Sequence, residues 1–179
     1  MNYFFGISQH GADTMSNLYS IFFKGKKNKN NLSKYFLDKE AVSSSCPVLF
    51  IFDNETKKRK DNRSIDNNTE KPLKKMLDIL DVPLKEELSK NNICLLDQYA
   101  NLYLVSIPLP NGKEEAEIED LLPKSVLETV IDGRTFSRKD ENKEKFYNKD
   151  ILANYVMRNY KSIDFSLFRP LLDLIASKC

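Results

Sequence analysis

Short apolar runs alternate with polar and charged segments along the chain, and this alternation predicts strands and helices in turn. The clearest strand is Pro47–Phe52 (PVLFIF), because an unbroken apolar run of this length is typical of the buried centre of a parallel sheet. Further strands are predicted over Tyr3–Ile7, Asn92–Leu96 and, more strongly, Leu102–Ile107. Strands that alternate with helices predict an α/β fold with a mostly parallel central sheet flanked by helices.

Two helices are predicted in the first half of the chain from apolar residues at helical spacing. The earlier one has Thr14 or Ser16 as its cap, and its buried face is Leu18, Tyr19, Ile21 and Phe22. The later one begins at Pro72, since proline suits the first helical position, and it ends at Pro83. Its apolar face comprises Leu73, Met76, Leu77 and Leu80.

Further helices are predicted between these two and toward the end of the chain. Short helices cover Leu32–Ala41 and Ser125–Ile131, and a polar loop covers Gly133–Glu144. Asn148 or Asp150 caps a helix whose apolar face is Ile151, Leu152, Tyr155 and Val156. The last helix spans Phe168–Ser177, with Leu171, Leu172 and Ile175 buried. The length of 179 residues fits one domain, 1–179.

Charge is distributed unevenly although the net charge is only +2. Basic residues gather in two predicted loops, Lys24–Lys34 and Lys57–Lys60, whereas acidic residues gather in Glu114–Asp120. Basic loops beside an acidic cluster suit a polyanion held next to a metal ion, so the second loop supplies nucleic-acid-binding candidates. These candidates are Lys57, Lys58, Arg59, Lys60 and Arg63. The alternative is that lysine and asparagine only make these surface loops soluble.

Cysteine usage and hydropathy indicate a cytoplasmic protein without a membrane segment. The three cysteines are odd in number and lack metal-ligand spacing, which favours a reducing compartment. No apolar run approaches the roughly 20 residues that a membrane span needs. The first residues lack the basic leader and long apolar stretch of a signal peptide.

The triplet Asp53-Asn54-Glu55 directly follows the clearest predicted strand. Ligands gather beyond the carboxyl ends of the strands in α/β sheets, and carboxylates are the hard oxygen ligands that Mg²⁺ prefers. Asp53 and Glu55 therefore form a candidate metal-binding pair. Acidic residues after strands also serve as turn formers and helix caps, and that alternative stays open.

A second acidic segment contains Glu119 and Asp120. We expect Ile118 and Leu121 to anchor it in the core and leave both carboxylates exposed for a metal ion. The alternative is a solvated first helical turn, in which acidic residues interact favourably with the helix dipole. Two basic candidates complete the set. Lys149 could neutralise charge that develops on a reacting phosphate, or be an ordinary surface lysine, and His10 could approach a phosphate from its loop.

The order of several short segments resembles the TOPRIM-like domain that follows some retron-type reverse transcriptases and is related to the nuclease domain of OLD-family proteins. The resemblance extends over most of the chain, and the short segments that match are GISQHGADTMSNLYSIF, PVLFIFDNE, IEDLLP, Phe136-Ser137, KDILANYV and IDFSLFRPLLDLI. The resemblance implies a Rossmann-like sheet and metal-dependent cleavage of nucleic acid.

The resemblance also implies a role for each matching position. Asp53 and Glu55 correspond to the acidic pair that binds Mg²⁺ or Mn²⁺, and Glu119 with Asp120 to the later acidic ligand. Lys149 corresponds to the lysine near the scissile phosphate, so that Lys149 and Glu119 are the catalytic candidates. The implied partners are DNA, RNA, and a reverse transcriptase domain with its RNA–DNA product, and the implied setting is anti-phage defence. The carboxylates of Asp53 and Glu119 are expected to share one cation.

The chain departs from the family pattern at two points. No strand carrying a glutamate precedes Tyr3, so the family's first strand is missing from this sequence. We therefore expect the chain to be the C-terminal part of a longer protein. Glu55 stands where the family usually has aspartate. No Y-x-D-D motif occurs, and the chain is not expected to copy RNA by itself. Two alternatives follow, namely a catalytically incomplete fragment that binds nucleic acid or a polymerase, and an unrelated α/β interaction domain.

Overall fold

The computed structural model describes residues 12–22, 46–56, 71–98, 100–110, 112–138 and 142–178. The chain divides into two compact units, the first comprising Met1–Glu117 with Asp173–Cys179, and the second Ile118–Leu172. Each unit has an apolar core of its own. Several predictions lie outside the described residues, among them His10, the strand Tyr3–Ile7, the helix Leu32–Ala41, both basic loops and Arg63. The single domain 1–179 stays a prediction.

Three strands of the first unit form a mixed sheet. They are β1 (Val48–Phe52), β2 (Ile93–Asp97) and β3 (Leu102–Ser106), arranged in the order β1-β3-β2. β1 runs parallel to β3, while β2 runs antiparallel to it with a register shift near Asp97. The prediction of an α/β fold is confirmed, but the predicted mostly parallel sheet is wrong for the described strands, since one of the two pairings is antiparallel.

The buried centre of this sheet is β3 and not β1, so the prediction that Pro47–Phe52 forms the centre is wrong for the strands that the structure describes. β3 has a described neighbour on both sides and buries four of its five residues. β1 pairs with β3 alone among these strands, and of its residues only Phe52 is buried. The apolar run therefore marked the strand correctly but not its place in the sheet.

In the part of the chain that the structure describes, three complete helices lie in the first unit: α1 (Ala12–Phe22), α2 (Pro72–Ile79) and α3 (Val82–Asn91). Thr14 and Ser16 lie inside α1, so the prediction that either one caps it is wrong. α2 begins at Pro72 as predicted, but it already ends before Leu80, whose backbone is extended. Pro83 lies in the first turn of α3 and starts a helix rather than ending one.

The core of the first unit joins these helices to the sheet. The buried residues come from α1, α2, α3 and all three strands, and they are Tyr19, Phe52, Leu73, Met76, Leu80, Leu88, Cys94, Leu102 and Leu104. Burial raises the pKa of the Cys94 thiol from 9.0 to about 12, with the charge of Glu87 as the smaller cause. Burial likewise raises the pKa of Tyr19 from 10.0 to about 12. Both groups therefore keep their proton to a higher pH than in the unfolded chain.

The second unit contains α4 (Lys124–Leu127), β4 (Thr135–Phe136), β5 (Phe146–Tyr147) and α5 (Lys149–Asn159). β4 pairs in parallel with β5, so the segment predicted as the loop Gly133–Glu144 contains a short strand. α4 is shorter than the predicted helix Ser125–Ile131. The Asn148 side chain caps α5 by accepting a hydrogen bond from the Ile151 amide at 3.3 Å, which confirms one of the two predicted caps. Tyr147 and Leu152 anchor the core.

The last helix, α6, spans Arg169–Ala176, within the predicted Phe168–Ser177. Leu171 is buried as predicted, whereas Leu172 is exposed, so its predicted burial is wrong. None of the helices in the described ranges is long and apolar enough to cross a membrane.

Candidate functional site

The acidic triplet lies immediately beyond the carboxyl end of β1, where the sequence predicted it. Asn54 is fixed by a two-residue bridge to Ala116, with amide-to-carbonyl distances of 2.8 and 3.0 Å in the two directions. The bridge fixes the backbone at Asn54, between the two acidic residues, of which Asp53 is half-buried.

Glu55 forms an ion pair with Lys71, the residue that precedes α2. The Lys71 side chain is only 9% exposed, so its ammonium group has little access to water. A buried ammonium is tolerated when a carboxylate compensates it. Glu55 thus has a structural task, which competes with the metal-binding role predicted for it.

The second acidic segment forms a single turn of 3₁₀ helix, Ile118–Leu121. Glu119, Asp120 and Leu121 are buried, while Ile118 is 38% exposed. The prediction that Ile118 anchors the segment and leaves both carboxylates exposed is therefore wrong. Acidic side chains are buried when they are paired, and each of these two has a basic partner, which explains the reversal.

Glu119 pairs with Lys149, which is thirty residues away in sequence, at 3.0 Å between Oε2 and Nζ. Lys149 is the first residue of α5, where the helix dipole disfavours a positive charge. The carboxylate of Glu119 offsets that unfavourable position. The Lys149 side chain remains 45% exposed, so its ammonium faces both Glu119 and solvent.

Asp120 is held by Arg138 through both carboxylate oxygens. Arg138 Nη1 donates to Oδ2 at 3.3 Å and Nη2 donates to Oδ1. Such fork-shaped pairs combine two parallel charge-assisted hydrogen bonds with a fixed geometry. Sequence reasoning missed Arg138. Its only signal was its place directly after the Phe136-Ser137 motif, and nothing in the sequence connected it with Asp120.

An apolar cavity of about 280 Å³ adjoins the Glu119–Lys149 pair within the second unit. Its wall includes Leu152 of α5 and the rings of Phe165 and Phe168, which meet edge to face at 5.6 Å between centroids. An ion pair at the border of an apolar cavity has weaker solvent screening on that side. The arrangement can accept a flat apolar group next to a cation and an anion.

The predicted metal ligands match Mg²⁺ in chemistry, since Asp53, Glu55, Glu119 and Asp120 all offer carboxylate oxygen. Three of them, however, already interact with a basic side chain. No group of three or more His, Cys, Asp or Glu side chains is arranged around a common cation position within the described ranges. The nucleic-acid-binding candidates Lys57, Lys58, Arg59, Lys60 and Arg63 lie outside those ranges.

No family model matches the chain, and no solved structure matches it significantly. The fold and the site define a mixed α/β protein in which acidic segments are joined to basic residues of the same unit.

Proposed function

We propose that this chain is the TOPRIM-like, divalent-metal-dependent nuclease module of a retron-type reverse transcriptase, and that it acts on DNA or RNA in anti-phage defence. The observation that supports this proposal best is the Glu119–Lys149 pair. The sequence resemblance implied that Glu119 is a metal ligand and that Lys149 lies near the scissile phosphate, and their side chains lie 3.0 Å apart although thirty positions separate them.

Each side chain of the pair has a task in such a reaction. The Lys149 side chain is 45% exposed, and its ammonium can leave Glu119 for a phosphate oxygen, where it would offset the negative charge that grows during phosphoryl transfer. Glu119 is then left as a buried carboxylate that requires another cation. A Mg²⁺ bound at Glu119 would activate water and stabilise the leaving oxygen.

The test is a cleavage assay on supercoiled plasmid and on single-stranded DNA and RNA with Mg²⁺ or Mn²⁺. Asp53→Ala, Glu119→Gln and Lys149→Met should each lower the rate about a hundredfold or more, the usual range when a charge-stabilising group is removed. Lys124→Met is the matched control, because this lysine is 85% exposed in the same unit. Equal activity of the Lys149 and Lys124 variants would contradict the assignment.

Metal binding gives a second readout that does not depend on cleavage. Lys149→Met leaves Glu119 without its partner, so a divalent cation should bind there more tightly than in the wild type. Adding about 10 mM Mg²⁺ should therefore raise the melting temperature of Lys149→Met more than that of the wild type, because ligands that bind only the folded state stabilise it. The same increment in both proteins would exclude Glu119 as a metal ligand.

A second candidate function is a fragment of the same family that binds nucleic acid or a polymerase without cutting. The observation that favours it is that Glu55, Glu119 and Asp120 are each neutralised by a basic side chain of their own unit. This candidate requires DNA binding whose affinity falls with salt, together with the absence of metal-dependent products. If the chain shows neither nucleic-acid binding nor cleavage, it is an α/β interaction domain whose acidic residues are purely structural.

A further inference from the structure

A cavity in the first unit leads to an inference that is independent of the acidic site. We propose that this cavity binds a nucleoside monophosphate unit, with the base against leucine side chains and the phosphate at two lysines. Its volume is about 490 Å³, within the range of roughly 300–1,000 Å³ that small-molecule sites occupy.

The position of the cavity in the fold is the first argument. Asn54 and Thr56, which follow β1, and Ser106, which ends β3, all line it. Because β1 and β3 are parallel, these residues stand at the same edge of the sheet. The edge beyond the carboxyl ends of parallel strands is where open α/β sheets bind their ligands.

Two helices complete the wall with one face each. α2 contributes Leu73 and Leu77, spaced by one turn, and α3 contributes Leu88. Leu109 adds a fourth leucine from the segment after β3. Leu73 and Leu88 are also buried members of the unit's core, so this part of the wall is firmly packed. A continuous apolar wall suits the faces of a planar base.

The polar part of the wall offers an acceptor and a donor. Asn54 Nδ2 donates to the Ile107 carbonyl at 3.0 Å, which leaves Oδ1 of the same amide as an acceptor. Asn92 Oδ1 accepts from the Ser106 hydroxyl at 3.3 Å, which leaves Nδ2 as a donor. An acceptor combined with a donor matches the edge of a nucleobase. Asn92 also ends α3 with φ of 57°, a conformation that asparagine adopts more readily than most residues.

The charged part of the wall carries more positive than negative charge. Lys74 and Lys85 line the cavity together with one acid, Asp78, with which Lys74 forms an ion pair. Two lysines against one aspartate favour an anion, and lysine is a common point-charge ligand of phosphate. A sugar-linked phosphate is the anion that also accounts for the leucine wall and the two amides.

The test is calorimetric titration of the full chain with 5′-AMP, adenosine and inorganic phosphate, in EDTA so that no divalent metal takes part. The affinity for 5′-AMP should exceed that for adenosine or phosphate alone at least tenfold, since the nucleotide alone contacts both parts of the wall. Lys85→Ala should lower the affinity for 5′-AMP about tenfold without changing the affinity for adenosine. Lys90→Ala is the matched control, because Lys90 is an exposed lysine of α3 that does not line the cavity.

A blocking variant provides a check that does not depend on charge. Ser89 is an exposed residue of α3 at the border of the cavity, so Ser89→Trp should fill the cavity and abolish 5′-AMP binding while the melting temperature is retained. Should this variant unfold, the comparison of Lys85→Ala with Lys90→Ala still decides.

The nucleotide unit could come from a free nucleotide or from the end of a strand, and short oligonucleotides with and without a 5′-phosphate separate the two sources. Binding of 5′-AMP identifies a free nucleotide, whereas binding only of the phosphorylated strand identifies a terminal one. Failure of both ligands to bind overturns the proposal, as does binding that Lys85→Ala leaves unchanged. Because the titrations contain no metal, an absence of nucleotide binding does not argue against the proposed nuclease activity. Likewise, an absence of metal-dependent cleavage does not argue against nucleotide binding.

Discussion

The fork between Arg138 and Asp120 gives the sharpest stability prediction. Arg138→Met removes both charge-assisted hydrogen bonds and leaves the Asp120 carboxylate, whose side chain is 5% exposed, without this partner. Breaking a buried pair from one side costs about 3–5 kcal/mol. Because the Arg138 side chain is 32% exposed and water partly screens the pair, we expect Arg138→Met to lower the free energy of unfolding by about 2–3 kcal/mol.

The surface pair of Arg134 and Asp132 in the same unit is the matched control. Its atoms lie 3.6 Å apart and Asp132 is largely exposed, so Arg134→Met should cost no more than about 0.5 kcal/mol. At roughly 2–4 °C per kcal/mol for a chain of this size, Arg138→Met should lower the melting temperature by about 5–10 °C. Arg134→Met should lower it by about 1–2 °C.

Differential scanning calorimetry and urea unfolding followed by circular dichroism measure both variants. Asp120→Asn should lower the free energy of unfolding by less than Arg138→Met does, because it leaves a partly hydrated guanidinium instead of a buried anion. Equal losses for Arg138→Met and Arg134→Met would refute the reasoning that burial makes the first pair important.

Four further predictions concern the two cores and the cysteines. Leu104→Ala removes a fully buried side chain from the central strand and should lower the free energy of unfolding by about 3 kcal/mol in urea titrations. The raised pKa of Cys94 means that the unfolded state loses its proton first as the pH rises, so stability falls from about pH 9 toward about pH 12. Between about pH 8 and pH 10 the free energy of unfolding of the wild type should therefore fall by about 1 kcal/mol more than that of Cys94→Ala. In the native protein a maleimide should label the exposed Cys46 well before the buried Cys94. Tyr147→Phe deletes a 2.8 Å hydrogen bond to the Thr129 carbonyl and should cost about 1 kcal/mol by thermal unfolding.

The elements that the sequence predicted well have strong local signals. Leu102–Ser106 is a compact and mostly apolar run. Pro72 suits the first turn of a helix and is followed by an apolar face at helical spacing. Asn148 has a side chain that can cap α5. Each of these signals lies within a few residues of the element that it defines. Local chemistry was sufficient to place them.

The features that the sequence did not predict depend on distant partners or on an ambiguous residue. α3 has only Leu84 and Leu88 as a regularly spaced apolar pair, and Pro83 suits the first turn of a helix as well as the end of one. The central position of β3 depends on pairing with two other strands, which no local pattern records. The burial of Glu119 likewise depends on a lysine thirty residues away.

The three acidic ion pairs differ in how easily the cation can leave, and this difference ranks the acidic residues by the roles they can play. Lys71 is 9% exposed and Arg138 holds Asp120 by a fork, so withdrawing either cation leaves a charge with little access to water. Lys149 is 45% exposed, so its ammonium stays hydrated when it moves into solvent or onto a phosphate, and a metal ion can then compensate the Glu119 carboxylate that it leaves. Glu119 is therefore the paired carboxylate best able to exchange its partner for a metal ion, while Glu55 and Asp120 act mainly on stability. Substitutions at Glu55 and Asp120 should accordingly change activity and melting temperature together, whereas Glu119→Gln should change activity far more than melting temperature.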